Sequence, residues 1–310
     1  MKVKLLFAGM VLWAGIISLS AKELKVLMIG NSFSVCVGRN LPQIVHSFPE
    51  HSLELTSAYI GGCSLDRHAK NIKLAEKTPK KALYSITVWN SAKPDKPVCF
   101  NSSLIDLLNR QKYDIITIQQ SSTNSWNWKS YEPYAGELTA FVRKCQPQAE
   151  IVIQQTWAYR IDSPRFKSFG FDQSSMHEQI RDANRKLAAK YHFRVIPVGD
   201  AVQLFRKYTP VKFRIPVKKP EYPDILSNEG DVVGYSSWKK NAKTGKMTIA
   251  ADPHHLNSDG HYLQACLWFA FLYGEPVSRI VWTPKGMKQD SAALLRKCAG
   301  EALAGYKQQQ

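Results

Sequence analysis

Short apolar runs recur along this chain with helix-like stretches between them, and that alternation restricts the fold more than any other feature. Glu23 to Gly30 (ELKVLMIG) ends in glycine, as suits a buried parallel strand that stops at a turn. Leu53 to Ile60, Asp114 to Gln120 (DIITIQQ), Glu150 to Gln155 (EIVIQQ) and Phe193 to Val198 (FRVIPV) have the same character. Between them, over Ser102 to Arg110, Tyr134 to Lys144 and Ser174 to Tyr191, apolar residues return at intervals of three and four. Strands alternating with helices predict an α/β domain on a doubly wound parallel sheet. With 310 residues, 44% of them hydrophobic, the chain can bury that core as a single domain over residues 22–310. Gly260 to Gly274 (GHYLQACLWFAFLYG) is apolar nearly all round and predicts a buried helix, followed by an amphipathic one over Ser291 to Tyr306. The pattern lapses between Arg206 and Lys246, where ten Lys/Arg stand against four Asp/Glu among Pro210, Pro216, Pro220 and Pro223. That stretch, with a hairpin expected around Asn241 to Gly245, reads as a basic insertion at about residues 206–250 and not as a second domain.

Lys2 and Lys4 precede an apolar run from Leu5 to Leu19, followed by Ser20 and Ala21, the order of a signal peptide over residues 1–21. The run is short for a membrane span of about 20 residues, and nothing later reaches that length. An uncleaved anchor is the alternative; under either reading the protein is expected to be exported, to the periplasm or beyond. Six cysteines are present, and an oxidising compartment would permit bridges, but six allow 15 connectivities and the pairing is not readable. No CxxC or HExxH occurs and the histidines do not fall at zinc spacing from cysteines, so neither a metal nor another cofactor is expected. The formal net charge is +17, two of which belong to the leader lysines. That balance attracts polyanions, yet no nucleic-acid-binding pattern accompanies it and nucleic acid is not an expected partner. A solvated basic exterior accounts for it, as would acidic glycans or an anionic cell surface.

In an open α/β sheet, ligands bind beyond the carboxyl ends of the strands. The first strand runs there into Gly30-Asn31-Ser32-Phe33-Ser34. A serine at this turn holds its hydroxyl above the sheet and its N–H among the free donors of a helix start, although Ser32 or Ser34 could equally cap that helix. A nucleophilic serine needs a base. Asp252-Pro253-His254-His255 lets one loop set a carboxylate against one imidazole nitrogen while the other faces the serine; read in isolation, Asp252 could also be a turn residue. His254 and His261 read as packing or surface histidines.

Taken together, Gly30-Asn31-Ser32, Gly61-Gly62 after the second strand, and Asp252-x-x-His255 followed by Leu256 and Gly260-x-Tyr262-Leu263 resemble the blocks of the SGNH (GDSL-like) hydrolases. Gly61-Gly62-Cys63-Ser64-Leu65 and Gln119-Gln120-Ser121-Ser122 are similar to a poorly characterised bacterial branch of that superfamily. The likeness runs from Leu24 to about Tyr273. It implies a flavodoxin-like three-layer α/β/α fold with a five-stranded parallel sheet of order 2-1-3-4-5, and a serine ester hydrolase. It implies Ser32 as nucleophile, His255 as base and Asp252 as orienter, with the N–H groups of Ser32 and Gly62 in the oxyanion hole. The superfamily has Gly-x-Asn-Asp after the third strand where this chain has Gln119 to Asn124. Gln120 is taken as the third donor by likeness to related carbohydrate acetylesterases, with Asn124 as runner-up and a buried, structural Gln120 as the alternative.

Trp126, Trp128, Tyr131, Trp157 and Tyr159 crowd the same loops; such side chains more often pack the loops than meet a ligand, and Trp126 and Trp157 are the candidates for stacking on a sugar ring. Lipid esters would call for a broad apolar surface near the site, whereas the loops around Ser32, Gly62 and Asn124 are largely polar. The expected substrate is therefore a short acyl ester, acetyl above all, on carbohydrate, with the basic insertion inclining it toward uronate-bearing or sulfated glycans. An acyltransferase with the same triad, and a carbohydrate-binding protein with a decayed site, are the alternatives.

Overall fold

The first apolar run becomes β1 (Lys22–Gly30), and its side chains leave for opposite faces. Leu24, Val26 and Met28 enter one core, Leu27 and Ile29 the other, which is why the run is apolar at almost every position. In the computed structural model, residues 21–78 and 81–307 are described, so the expected signal peptide, Ala21 apart, lies outside them. After β1 come α1 (Ser32–Val35), α2 (Leu41–His46), β2 (His51–Tyr59), α3 (Leu65–Lys77), β3 (Tyr84–Asn90), β4 (Val98–Ser102) and α4 (Leu104–Arg110). Next are β5 (Ile115–Ile118), α5 (Tyr134–Cys145), β6 (Glu150–Gln154), α6 (Arg165–Phe169), α7 (Gln173–Tyr191), β7 (Arg194–Ile196) and α8 (Val198–Tyr208). The chain closes with β8 (Val233–Lys240), β9 (Met247–Leu256), α9 (Ser258–Tyr273) and α10 (Gln289–Lys307).

The central sheet has seven strands in the order β4-β3-β2-β1-β5-β6-β7. Neighbours from β2 to β7 are all parallel, and counted alone those strands give the expected 2-1-3-4-5 arrangement. The five-stranded expectation is corrected by an antiparallel hairpin, β3 and β4, on the outer edge of β2. A half-buried strand carries no continuous apolar run; in β3, next to the edge strand β4, the buried Tyr84 and Ile86 alternate with the exposed Ser85, a period that a search for continuous runs passes over. The hairpin also takes Ser102 into β4, so the helix expected from that residue starts at Leu104, with Ser103 accepting from Asp106 N–H as its cap.

One face of the sheet is covered by residues of α2, α8, α9 and α10 and the other by α3, α4 and α5, with α7 contributing to both cores. α9 is the predicted all-apolar helix. Asn257 caps it through Asp259 N–H and Gly260 N–H, and Gly274, at φ 73°, ends it. Because α2, α8 and α10 pack around it, nearly all its side chains are buried. The basic insertion leaves α8 as irregular chain and becomes the β8–β9 hairpin, a separate two-stranded sheet whose turn falls at the expected Asn241 to Gly245. All six cysteines are free. Among the described residues, no helix is long and apolar enough to cross a membrane.

Candidate active site

The serine turn is built around Asn31. Its Oδ1 accepts the N–H of Phe33 at 3.0 Å and so caps α1, while its Nδ2 donates to the Cys63 carbonyl at 2.9 Å and ties the Gly61-Gly62 turn to the Ser32 turn. Gln119 donates to the same Oδ1 at 2.6 Å, and Gln154 donates both to Gln119 Oε1 at 2.6 Å and to the Phe33 carbonyl at 2.7 Å. Gln264 of α9 adds a second donor to that carbonyl at 3.0 Å. A four-residue helix has almost no internal stability, so these buried amides hold it in place. Gly30 is required by close packing: a β-carbon there would lie 2.4 Å from Ser34 Oγ. No intramolecular acceptor is found among the described residues for the backbone N–H of Ser32 or Gly62. Gly62 holds φ 59°, a left-handed conformation that glycine adopts without strain.

His255 reaches Ser32 from β9 through a bulge. Tyr235 pairs with Asp252 and Val233 with Leu256, so Gly234 alone stands opposite Pro253, His254 and His255. The extra residues push the His255 ring out of the ladder toward Ser32, the re-aiming for which bulges are used beside active sites. The expected loop is thus the irregular end of a strand. Its flanks are pinned, with Arg160 N–H on the Pro253 carbonyl at 2.9 Å and Trp157 Nε1 on the His254 carbonyl at 2.9 Å.

The Ser32 hydroxyl lies 2.8 Å from His255 Nε2, and His255 Nδ1 lies 2.7 Å from Asp252 Oδ2. An ionised carboxylate only accepts, so Nδ1 carries the proton and Nε2 is left to receive one from Ser32. Burial pushes the Asp252 carboxyl up, but the His255 ring and the N–H groups of His254 and His255 outweigh it and hold the group well below the usual carboxylate range. The His255 side chain is 42% exposed, and Ser32 is half-buried, so the pair is open to a large substrate. His254 turns elsewhere. Its Nε2 bonds Ser163 Oγ at 2.9 Å and its ring packs on Tyr159, 4.2 Å between centroids.

Two expectations are corrected here. Gln120 is buried, and its amide donates to the Ser130 carbonyl and hydroxyl at 2.9 and 3.1 Å while its Oε1 accepts the N–H of Leu65 and of Ser121. Such an amide holds the loops together and has nothing left for an oxyanion. Gln120→Ala should therefore lower stability by about 1–3 kcal/mol, seen as a reduced denaturant midpoint, with kcat of the folded protein changed by less than about tenfold. A hundredfold fall in kcat at unchanged stability would restore the donor role. Asn124, the runner-up, is exposed in the turn after β5. The other correction is Trp157, which is 0% exposed and stacks on Phe33 at 4.1 Å, whose ring in turn packs 5.4 Å from that of His255. It lies beneath Phe33 on the side of His255 and, fully buried, cannot meet a sugar. Trp126 is partly buried against Phe169 and Phe171. The sequence reading missed the glutamine network, although Gln-Gln at the ends of both DIITIQQ and EIVIQQ was its visible sign.

The profile of the DUF4886 family, described as a domain of unknown function, matches residues 25–212. A crystal structure of a DUF4886 family protein from Bacteroides uniformis is similar at 25% identity and a TM-score of 0.73, covering 91% of this chain and 95% of that one. At a TM-score of 0.47 and 17% identity, a candidate SGNH hydrolase from Slackia heliotrinireducens covers 79% of this chain and 96% of its own. An acetylxylan esterase from Geobacillus stearothermophilus, at 0.37 and 13%, covers 62% and 83%. No curated protein matches the sequence.

Proposed function

The chain belongs to the DUF4886 family, and we propose that it is a serine ester hydrolase of SGNH type, exported from the cytoplasm and acting on short acyl esters of carbohydrate. One observation carries the chemistry: the unbroken run of hydrogen bonds from Ser32 through His255 to Asp252, at 2.8 and 2.7 Å. Ser32 Oγ attacks the ester carbonyl as His255 Nε2 takes its proton. The tetrahedral oxyanion is met by the N–H groups of Ser32 and Gly62. His255 then gives the proton to the departing alcohol, leaving an acyl group on Ser32, and a water deprotonated by His255 releases it. Asp252 fixes the imidazole and balances its charge throughout.

The carbohydrate part of the reading no longer leans on Trp157. It is supported by the openness of the Ser32–His255 pair, which admits a bulky alcohol, and by the polar loops around them. The test compares kcat/KM for acetylated oligosaccharides, neutral and acidic, with that for nitrophenyl esters of two to twelve carbons. Deacetylation of a glycan and a falling rate with acyl length are expected. A preference for acyl chains of eight carbons or more, with no glycan deacetylated, would leave the esterase chemistry and remove the carbohydrate.

A further inference from the structure

The basic insertion carries the apolar surface that its sequence did not reveal. Val217 and Ile225 are 107% and 96% exposed, and Val211, Ile215 and Tyr222 lie more than half in solvent beside them in sequence. Val98 and Val281 are exposed singly elsewhere, whereas here several large side chains are held into water on one short segment, and such a concentration marks an interaction site. The segment is anchored. Tyr222 packs edge-on against Trp238 of β8 at 5.6 Å, Trp238 Nε1 donates to the Asp224 carbonyl at 2.8 Å, and the Arg160 guanidinium lies 4.0 Å over Phe213. Beneath it is a hollow of about 470 Å³ lined by Phe213, Pro216, Ile225, Leu226, Ile249 and Ala251, the residue before Asp252.

Cations accompany the aliphatic residues. Arg214, Lys218 and Lys219 are interleaved with them, and Lys239, Lys240, Lys243 and Lys246 are exposed on the adjoining hairpin. None of these forms an ion pair among the described residues. Glu221, Asp224, Glu229 and Asp231 are the acidic residues of the irregular segment, the last paired with Arg206, and they balance its own Lys and Arg, so the excess of positive charge comes from the four hairpin lysines.

We propose that this insertion docks the protein on an anionic lipid bilayer, with Val217, Ile225, Ile215 and Tyr222 at the boundary of headgroups and acyl chains and the lysines against the headgroups. An anionic bilayer is the partner that uses both halves of the surface, apolar contact and attraction to basic side chains. An acidic glycan would engage the cations alone and leave the aliphatic residues in water. A second copy of the chain would bring two positive faces together. The inference does not depend on the esterase reading, because none of the residues it rests on is Ser32, Asp252 or His255.

The test is flotation of the purified protein with vesicles of phosphatidylcholine alone and with phosphatidylglycerol added, at low and high salt. Binding to the anionic vesicles and its loss at high salt are expected. Val217→Ser with Ile225→Ser should weaken that binding by about tenfold or more, and Lys218→Gln with Lys219→Gln by about tenfold. These positions are exposed, so folding is preserved; turnover of a soluble nitrophenyl acetate by both variants, unchanged from the parent, reports that independently of membrane binding. No binding to anionic vesicles would overturn the proposal, as would binding indifferent to the Val217 and Ile225 changes. So would self-association through these residues, or a preference for a soluble sulfated polysaccharide that the aliphatic substitutions leave untouched.

Discussion

Replacing Ser32 with alanine abolishes turnover of an activated acetate ester while the protein stays folded. The side chain takes no part in the packing of α1: the cap belongs to Asn31, and the Ser34 hydroxyl donates to the Asn31 carbonyl at 3.0 Å. Among the described residues Ser32 Oγ bonds only His255 Nε2, and that ring is exposed enough for water to replace the lost partner. Stability should therefore change by about 0.5 kcal/mol or less, as at other surface positions. The chemistry loses the atom that forms the acyl-enzyme, and a fall of at least about 10⁴-fold is expected, since the members of such a site act as a unit. Ser34→Ala is the matched control, because it removes a hydroxyl two residues away and retains the nucleophile. Equal turnover by folded Ser32→Ala and parent protein would take Ser32 out of the mechanism, and loss in Ser34→Ala alone would transfer the role to it.

The parallel part of the sheet was legible because strands buried on both faces are written as continuous apolar runs, from ELKVLMIG to FRVIPV. The hairpin of Tyr84 to Ser102 was not, since it faces solvent at the sheet edge and alternates. At the site, Ser32, Asp252 and His255 could be singled out by residue type and spacing, and the fold brings them together. The residues that hold them were harder to read. Asn31, Gln119, Gln154 and Gln264 are distant in sequence, and a buried amide is recognised by the partners that satisfy it and not by its own local pattern. The same reason undid Gln120, whose donors go to Ser130. Trp157 could be read either way, because an aromatic on a loop looks alike whether it covers a ligand or packs beneath His255. The apolar face of the insertion was missed because Val211, Ile215, Val217 and Ile225 are scattered among lysines and prolines with no period, and only the fold shows that they remain outside.

His255→Ala should lower turnover by about 10² to 10⁴-fold, the range for loss of a general base, whereas His254→Ala and His261→Ala should each cost less than about tenfold. Three histidines lie within seven residues of one another, and geometry separates them. His255 alone joins the serine to the carboxylate, at 2.8 and 2.7 Å. His254 is occupied by Ser163, and its Nδ1 stands 3.9 Å from Asp252, beyond a hydrogen bond. The pH dependence separates them again. Burial moves the His254 ring toward acid, and burial, with Arg39 and His255 nearby, pushes His261 down to about 4. The Asp252 carboxyl, although burial opposes it, is held low by its hydrogen bonds and stays ionised through the same region. Only an unprotonated base can accept the Ser32 proton, so kcat/KM should fall as the medium becomes more acidic. Asp252 is already charged there and His261, pushed down to about 4, is neutral above pH 5, so neither supplies that limb. His254→Ala should leave the limb where it was, and His255→Ala should remove it together with most of the rate. A parent profile flat from pH 5 to 8, or a limb that disappears in His254→Ala, would show that the proton is taken by a group other than His255.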